Sequence, residues 1–198
     1  MKEIILVMLS GGVDSTYLLY RYLTQTDKPV HVHHIEYRHP QTTRGIMENI
    51  ACKEITRYLQ TYRPFTYSDS RYECSYQNFM GWDSDLCLLE ASRCACNLEE
   101  ANLITVELGW CYEDLELPHN IERVRKNVND ILWQALVNSV NERVNLNPIL
   151  PKTLILDKIT KQQMKDEMPP ELYNMCWSCR FPKGSNPCGQ CNSCKARL

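Results

Sequence analysis

Two short segments hold most of the residues that could do chemistry. The first, residues 10–15, reads Ser-Gly-Gly-Val-Asp-Ser and follows an apolar run near the N-terminus. The second lies near the C-terminus and has five cysteines from Cys176 to Cys194. Glycines let backbone N–H groups approach a phosphate closely, and cysteines spaced two residues apart bind metal ions. The two segments therefore predict a phosphate site and a metal site.

The loop at residues 10–15 lies between a predicted strand and a predicted helix, where open α/β sheets bind ligands. The helix that follows presents free N–H groups and the positive end of its dipole to an anion. Asp14 would repel a bare phosphate, so we expect it to hold a Mg2+ ion that bridges phosphate oxygens. The alternative is an ordinary turn in which Asp14 caps the helix. The loop lacks the lysine of the Walker A motif.

The cysteine-rich segment predicts a structural metal site. Four thiolates make a closed tetrahedral zinc site with no open coordination position, and the segment offers five, so one is spare. Free thiols, disulfides and an iron–sulfur cluster are the alternatives. The chain has 198 residues and eleven cysteines, and an odd number in a chain of this length fits a disulfide framework poorly. Metal binding in a reducing compartment is favoured.

The rest of the chain alternates between strand and helix patterns. Strands are predicted at residues 2–9, 29–37, 102–108 and 144–150, and helices at residues 14–26, 42–62, 84–100, 118–143 and 157–167. This alternation predicts an α/β fold with a doubly wound parallel sheet. In the second helix, residues 46, 50, 55 and 59 are predicted to share the buried side. Residues 64–81, rich in Tyr and Ser, are predicted to form a loop.

Composition narrows the class of partner. A formal net charge of −2 gives no broad basic surface for a long nucleic acid, so a small substrate is favoured. There is no apolar run of membrane length and no signal-peptide pattern at the N-terminus, so we expect a cytoplasmic protein. His31, His33 and His34 lie in the second predicted strand, and we interpret them as ordinary strand residues rather than ligands.

Both segments resemble one superfamily. The loop resembles the SGGxDS motif of the PP-loop ATP pyrophosphatases. The tail resembles that of the 7-cyano-7-deazaguanine synthases in that superfamily, which ends in Cys, eight residues and Cys-x-x-Cys-x-x-Cys. The pattern falls on Cys179, Cys188, Cys191 and Cys194 and leaves Cys176 outside. The resemblance implies an adenine nucleotide alpha-hydrolase-like fold that uses ATP and Mg2+, with Zn2+ on these four thiolates. We expect an ATP-binding domain at residues 1–170 and a zinc-binding segment at residues 171–198.

The resemblance also implies an activity and a site. The activity is ATP-dependent conversion of 7-carboxy-7-deazaguanine and ammonia to 7-cyano-7-deazaguanine, in queuosine or deazaguanine nucleotide modification, by a homodimer that binds no nucleic acid directly. We expect three catalytic residues: Asp14 through its metal ion, Lys158 as a cation near the phosphates, and Arg38 as a cation for the substrate carboxylate. The residues expected to bind ATP are consecutive: Met8, Leu9, Ser10, Gly11, Gly12, Val13, Asp14, Ser15 and Thr16.

The segments that surround the base pocket in that family differ here. Residues 81–85 lack its arginine and asparagine, and residues 107–120 match it weakly. Two further functions therefore stay open. One is a PP-loop sulfurtransferase, which would need a persulfide on a cysteine near ATP: Cys74, Cys111 or Cys176. The other is a nucleotide-binding member of a modification or defence system that lacks ligase activity.

Overall fold

The structure, a computed structural model, describes residues 3–73, 83–98, 103–107 and 159–195. The helix predicted at residues 118–143 and the strand predicted at residues 144–150 lie outside them. The strands are β1 (Glu3–Met8), β2 (Val30–Arg38), β3 (Thr66–Glu73) and β4 (Leu103–Glu107). The helices are α1 (Val13–Gln25), α2 (Arg44–Leu59), α3 (Asp83–Asn97), α4 (Lys161–Glu167), α5 (Pro170–Met175) and α6 (Asn192–Lys195).

The four described strands form one parallel sheet in the order β3-β2-β1-β4. The chain starts in the middle with β1, runs outward through β2 and β3, and returns to the other side of β1 with β4. The strand order reverses beside β1, and doubly wound sheets bind ligands at this reversal, outside the carboxyl ends of the strands. The predicted α/β fold with a parallel sheet is confirmed, and the loop at residues 10–15 lies at the reversal.

Alternate residues of β1 join two apolar cores, as the period of two in a strand requires. Ile5 and Val7 pack in a core with buried residues of α1, α2, α4 and α5. Ile4, Leu6 and Met8 pack in a second core with α3. The sheet therefore has helices on both faces, and β1 is buried on both sides.

The prediction of a loop over residues 64–81 is wrong for Thr66–Glu73, which is β3. This strand pairs with β2 over eight residues, from His31 opposite Thr66 to Arg38 opposite Glu73. It is a polar edge strand, so no alternation of apolar side chains marks it in the sequence. Its hydroxyl groups instead bind histidines of β2.

The buried side of α2 also differs from the prediction. Ile46 and Ile50 are each 44% exposed, whereas Ile55 and Leu59 are buried as predicted. The buried side consists largely of small or polar residues, which a search for apolar periodicity passes over: Gly45, Asn49, Ala51, Cys52 and Thr56. Small residues here let α2 lie close to the sheet and to the loop at residues 10–15.

The chain near the C-terminus returns to the first core. α4 begins at Lys161, later than predicted, because Thr160 caps it in a capping box with Gln163. Pro169 and Pro170 end it as predicted, yet Pro170 also begins α5, since proline suits the first turn of a helix. The division at residue 170 remains a prediction. Within the described ranges, no helix combines the length and apolar character needed to cross a membrane.

Candidate phosphate cleft and metal centre

The turn from β1 to α1 depends on glycine. Gly11 has φ +78°, a backbone conformation that costs other residues about 1–2 kcal/mol. A Cβ atom on Gly11 would lie 3.0 Å from the carbonyl oxygen of Glu48 and 3.1 Å from Sγ of Cys52. Glycine at this position therefore satisfies both the backbone angle and the close approach of α2.

Two serines close the loop on itself. The backbone N–H of Ser10 donates to Oγ of Ser15 at 3.1 Å, and the two hydroxyl oxygens lie 3.0 Å apart. The N–H of Gly12 donates to Oγ of Ser10 at 3.3 Å. Ser15 is buried and Ser10 is exposed. Ser15 therefore shapes the loop, whereas Ser10 is available to a ligand.

The loop forms one side of a cleft of about 130 Å³. Pockets for whole small molecules typically have volumes of roughly 300–1,000 Å³, so this cleft matches the phosphate part of a nucleotide. The predicted loop contributes Ser10, Gly12, Val13 and Asp14 to its lining. The other lining residues are Arg44, Glu48, Lys161, Tyr173, Trp177, Ser178, Arg180 and Ser193.

The charges of the cleft suit an anion with a bound cation. Arg44, Lys161 and Arg180 bring three positive charges to the lining, and Asp14 and Glu48 bring two negative ones. Nε of Arg44 lies 2.7 Å from Oε1 of Glu48, so this arginine is held in place. The N-terminus of α1 adds the positive end of its dipole. The hard oxygen of a carboxylate at such a position fits Mg2+.

Asp14 is not the N-cap of α1, contrary to the alternative considered for it, and its role in binding a metal ion stays a prediction. The N-cap residue is Gly12, and no side chain makes a capping hydrogen bond there. Asp14 lies in the first turn, half-buried, and lines the cleft.

The other residues expected to bind ATP have different surroundings. Met8, Leu9 and Thr16 are buried and do not line the cleft. The carbonyl of Leu9 accepts a hydrogen bond from Nδ1 of His34 at 2.8 Å. These residues therefore pack beneath the loop and do not face the cleft. Lys158 lies outside the described residues.

Arg38 lies apart from the phosphate cleft, in an ion-pair group. Its Nε donates to Oε1 of Glu36 at 2.9 Å, and Nε of Arg71 donates to Oε2 of the same carboxylate at 2.9 Å. Burial alone would raise the pKa of Glu36, but the hydrogen bonds from the two arginines hold it below its usual value. The side chain of Arg38 is still 42% exposed.

Arg38 also lines a second cavity, of about 650 Å³, at the carboxyl ends of β2 and β3. This volume lies within the range of small-molecule pockets. Its other lining residues are His39, Pro40, Gln41, Thr42, Thr43, Ile46, Glu73, Pro182 and Gly184. The hydroxyl of Thr43 donates to the carbonyl of Gly184, which connects the turn before α2 to the cysteine-rich segment.

The structure brings together the four predicted cysteine ligands. The Sγ atoms of Cys179, Cys188, Cys191 and Cys194 all lie within 4.8 Å of one another, and those of Cys188 and Cys194 are 3.9 Å apart. Tetrahedral coordination at a metal–sulfur distance of 2.3 Å places sulfurs roughly 3.8 Å apart. The group therefore fits a single four-coordinate ion.

Backbone N–H groups prepare these sulfurs for a metal ion. The N–H of Cys188 donates to Sγ of Cys179 at 3.2 Å, and that of Cys191 donates to Sγ of Cys188 at 3.4 Å. A hydrogen bond from the backbone of Arg180 lowers the pKa of Cys191 to about 6. Burial raises the pKa of Cys194 to about 12, so a metal ion must displace its proton.

Cys176 stays outside this group. It is 2% exposed, and its Sγ donates to the carbonyl of Leu172 at 3.4 Å. The next residue joins the tail to the phosphate loop, because the N–H of Trp177 donates to the carbonyl of Gly11 at 2.8 Å. The indole N–H of Trp177 also donates to the carbonyl of Cys179 at 3.1 Å. The cysteine segment is therefore attached to the loop.

Sequence reasoning missed the cations and the tail residues of the cleft. Arg44 starts a helix that is distant in sequence from the loop, and Arg180 looks like a spacer between metal ligands. The proximity of Ser178 and Arg180 to Cys179 was the available signal. Only the folded tail shows that these spacers line the cleft beside residues 10–15.

Fold and site together define a doubly wound α/β protein with a glycine loop in an anion-suited cleft and a four-cysteine centre. Comparison with known proteins adds little: no family model and no curated protein matches the chain. Among solved structures, the U34-tRNA thiolase NcsA from Methanococcus maripaludis, with its 4Fe-4S cluster, is similar at a TM-score of 0.42 and 12% identity. The match covers 98% of this chain and 79% of that one.

Proposed function

We propose that this protein is an ATP-dependent ligase that converts 7-carboxy-7-deazaguanine and ammonia to 7-cyano-7-deazaguanine. The observation that carries the proposal is the cleft at residues 10–15, where Asp14 and the N-terminus of α1 lie beside Arg44, Lys161 and Arg180. The SGGxDS and cysteine motifs supply the choice of reaction.

The reaction requires activation because a carboxylate is a poor electrophile. A carboxylate oxygen attacks the α-phosphorus of ATP, and pyrophosphate leaves. Ammonia then attacks the acyl carbon, a proton is lost, and AMP leaves with the former carboxylate oxygen to give the amide. A second ATP activates the amide oxygen in the same way. Loss of AMP and of both protons on nitrogen then gives the nitrile.

The chain positions the reactants and balances charge. Gly11 and Gly12 let the loop approach the phosphates, and the cations Arg44, Lys161 and Arg180 stabilise the negative charge of departing pyrophosphate. Asp14 would hold Mg2+, and the bound ion would supply positive charge to the phosphate oxygens. Because the amine nucleophile is ammonia, no nucleophilic side chain is required, and positioning supplies much of the rate.

The second cavity is our choice for the deazaguanine. Arg38 would pair with its carboxylate, Glu73 would accept hydrogen bonds from its amino edge, and Ile46 would cover one face of the ring. Both cavities lie at the edge of the sheet formed by the carboxyl ends of the strands, where the acid and ATP would have to meet.

We assign Zn2+ to the four cysteines as a structural ion. In a 4Fe-4S cluster each thiolate binds a different iron atom, so a spacing within 4.8 Å favours one shared ion. Ser178 and Arg180 flank Cys179, and Ser193 precedes Cys194, so the ion would also fix one wall of the cleft.

Incubation with ATP, ammonium and 7-carboxy-7-deazaguanine, followed by mass spectrometry, tests the proposal. We expect the nitrile together with AMP. Thiolation of a tRNA transcript in the presence of a sulfide donor, with no nitrile, would support the sulfurtransferase instead. Cys176 is 2% exposed and poorly placed for that role, while Cys74 and Cys111 lie outside the described residues. Nucleotide binding without turnover would support the remaining alternative, a nucleotide-binding member of a modification or defence system that lacks ligase activity.

A further inference from the structure

A second group of metal-binding side chains lies on the opposite face of the sheet, under α3. His31 and His33 of β2 and Cys94 of α3 place their donor atoms within 4.8 Å of one another. The three residues are 8%, 6% and 8% exposed. None of them lines the phosphate cleft or the second cavity. The group is therefore separate from the residues assigned to the function proposed above.

The three donors face one point. The hydroxyl oxygen of Ser68 lies 2.8 Å from Nε2 of His31, 2.7 Å from Nδ1 of His33 and 3.9 Å from Sγ of Cys94. Two imidazoles and a thiol are the ligands that zinc prefers. Ser68 marks the centre that they share.

The second ring nitrogen of each histidine, the one that does not face Ser68, also has a hydroxyl partner. Nδ1 of His31 lies 2.7 Å from Oγ1 of Thr66. Nε2 of His33 lies 3.2 Å from Oγ of Ser70 and 3.8 Å from Oε2 of Glu90. Hydroxyl and carboxylate partners of this kind orient metal-binding histidines and direct the other nitrogen to the ion.

The carboxylate of Glu90 is itself fixed from two sides. It accepts hydrogen bonds from the hydroxyl of Tyr72 and, at 3.0 Å, from Nη1 of Arg93. It is 5% exposed. A buried carboxylate held next to His33 provides negative charge that a bound cation would offset.

We propose that His31, His33 and Cys94 bind a second Zn2+ ion, with the Ser68 hydroxyl displaced from the centre to the fourth position. Binding would draw the donors inward, from 2.7–2.8 Å and 3.9 Å around the Ser68 oxygen to zinc–nitrogen distances of about 2.0–2.1 Å and a zinc–sulfur distance of about 2.3 Å. The ion would fasten α3 to β2 and β3. A closed, buried site of this kind is structural.

Native mass spectrometry of the full chain purified with zinc counts the ions. We expect two per chain in the unmodified protein and one in Cys94→Ser. Cys87→Ser, on the same helix and outside the group, should keep two. Ser68→Ala should also keep two, because its hydroxyl is the most dispensable ligand. Circular dichroism verifies that each variant is folded.

His33→Gln provides a second variant in case Cys94→Ser does not fold, and it should likewise bind one ion. One zinc ion per chain in the unmodified protein would overturn the proposal. Two ions in a folded Cys94→Ser or His33→Gln variant would also overturn it. In either case the group is a buried hydrogen-bond network centred on Ser68.

Discussion

The phosphate loop and the cysteine segment line the same cleft, but different interactions stabilise them. The loop is held by backbone conformation and by the two apolar cores next to it, with Gly11 at φ +78° and Val13 buried. The segment has little apolar burial, and Phe181 within it is 71% exposed. We expect its order to depend on four cysteines around a bound ion. The loop should therefore keep its shape without ligand or metal, whereas the segment should not.

The largest effect should follow loss of a metal ligand. Cys188→Ser should reduce the zinc on the four-cysteine site and disorder residues 176–195, because binding of structural zinc is worth about 10–16 kcal/mol in small zinc domains. Metal analysis and hydrogen exchange measure the two effects. Cys176→Ser is the matched control and should leave the zinc content unchanged. Full zinc in Cys188→Ser would show that the four-cysteine assignment is wrong.

In the part of the fold that is held by close backbone packing, adding a methyl group at Gly45 should cause the largest loss of stability. A Cβ there would lie 1.5 Å from the carbonyl oxygen of Tyr37, so α2 must move away from β2. We expect Gly45→Ala to lower the free energy of unfolding by more than about 4 kcal/mol. Chemical denaturation measures it.

Gly184→Ala in the cysteine segment is the control for Gly45→Ala. Gly184 has φ +61° but no atom within 4 Å of the added methyl group, so only backbone strain of about 1–2 kcal/mol is expected. If both variants lost the same free energy of unfolding, close backbone packing would not distinguish α2 from the cysteine segment.

Asp14→Asn separates chemistry from architecture within the loop. Asparagine has nearly the same size, and Asp14 is not the cap of α1, so the fold should be kept. The rate of Mg2+-dependent AMP formation should fall about 10²–10³-fold, the usual cost of removing one electrostatic contact to a transition state. Quench-flow measurement of AMP determines the rate. An unchanged rate would show that Asp14 takes no part in AMP formation.

Arg38→Ala should have the smallest effect among the substitutions at expected ligand-binding residues. It should weaken binding of the deazaguanine acid by about 1.5–3 kcal/mol, the range for a hydrogen bond to a charged group, and leave ATP binding unchanged. Calorimetric titration with each ligand decides this. Arg71→Ala is the matched control, because Arg71 binds the same Glu36 carboxylate and does not line the cavity. Equal losses in the two variants would assign Arg38 to support of Glu36 alone.

The sequence was sufficient where structure is local. The turn at residues 10–15 and the apolar strand before it follow from residue type alone. Spacing left five candidate thiols near the C-terminus, and the family resemblance selected the four that the fold brings together. The polar strand β3 was missed because its partners are histidines of β2, known only once the register is known. His31 and His33 were interpreted as ordinary strand residues, because the sequence does not show that Cys94 of α3 lies beside them.

Transfer of an oxygen isotope tests the central claim most directly. Substrate labelled with 18O in its carboxylate is incubated with ATP, Mg2+ and ammonium, and the nucleotide products are weighed by mass spectrometry. The account predicts that AMP carries 18O, because the carboxylate oxygen attacks the α-phosphorus and departs with AMP. ADP and phosphate as products, or AMP without the label, would contradict adenylation of the acid at this cleft.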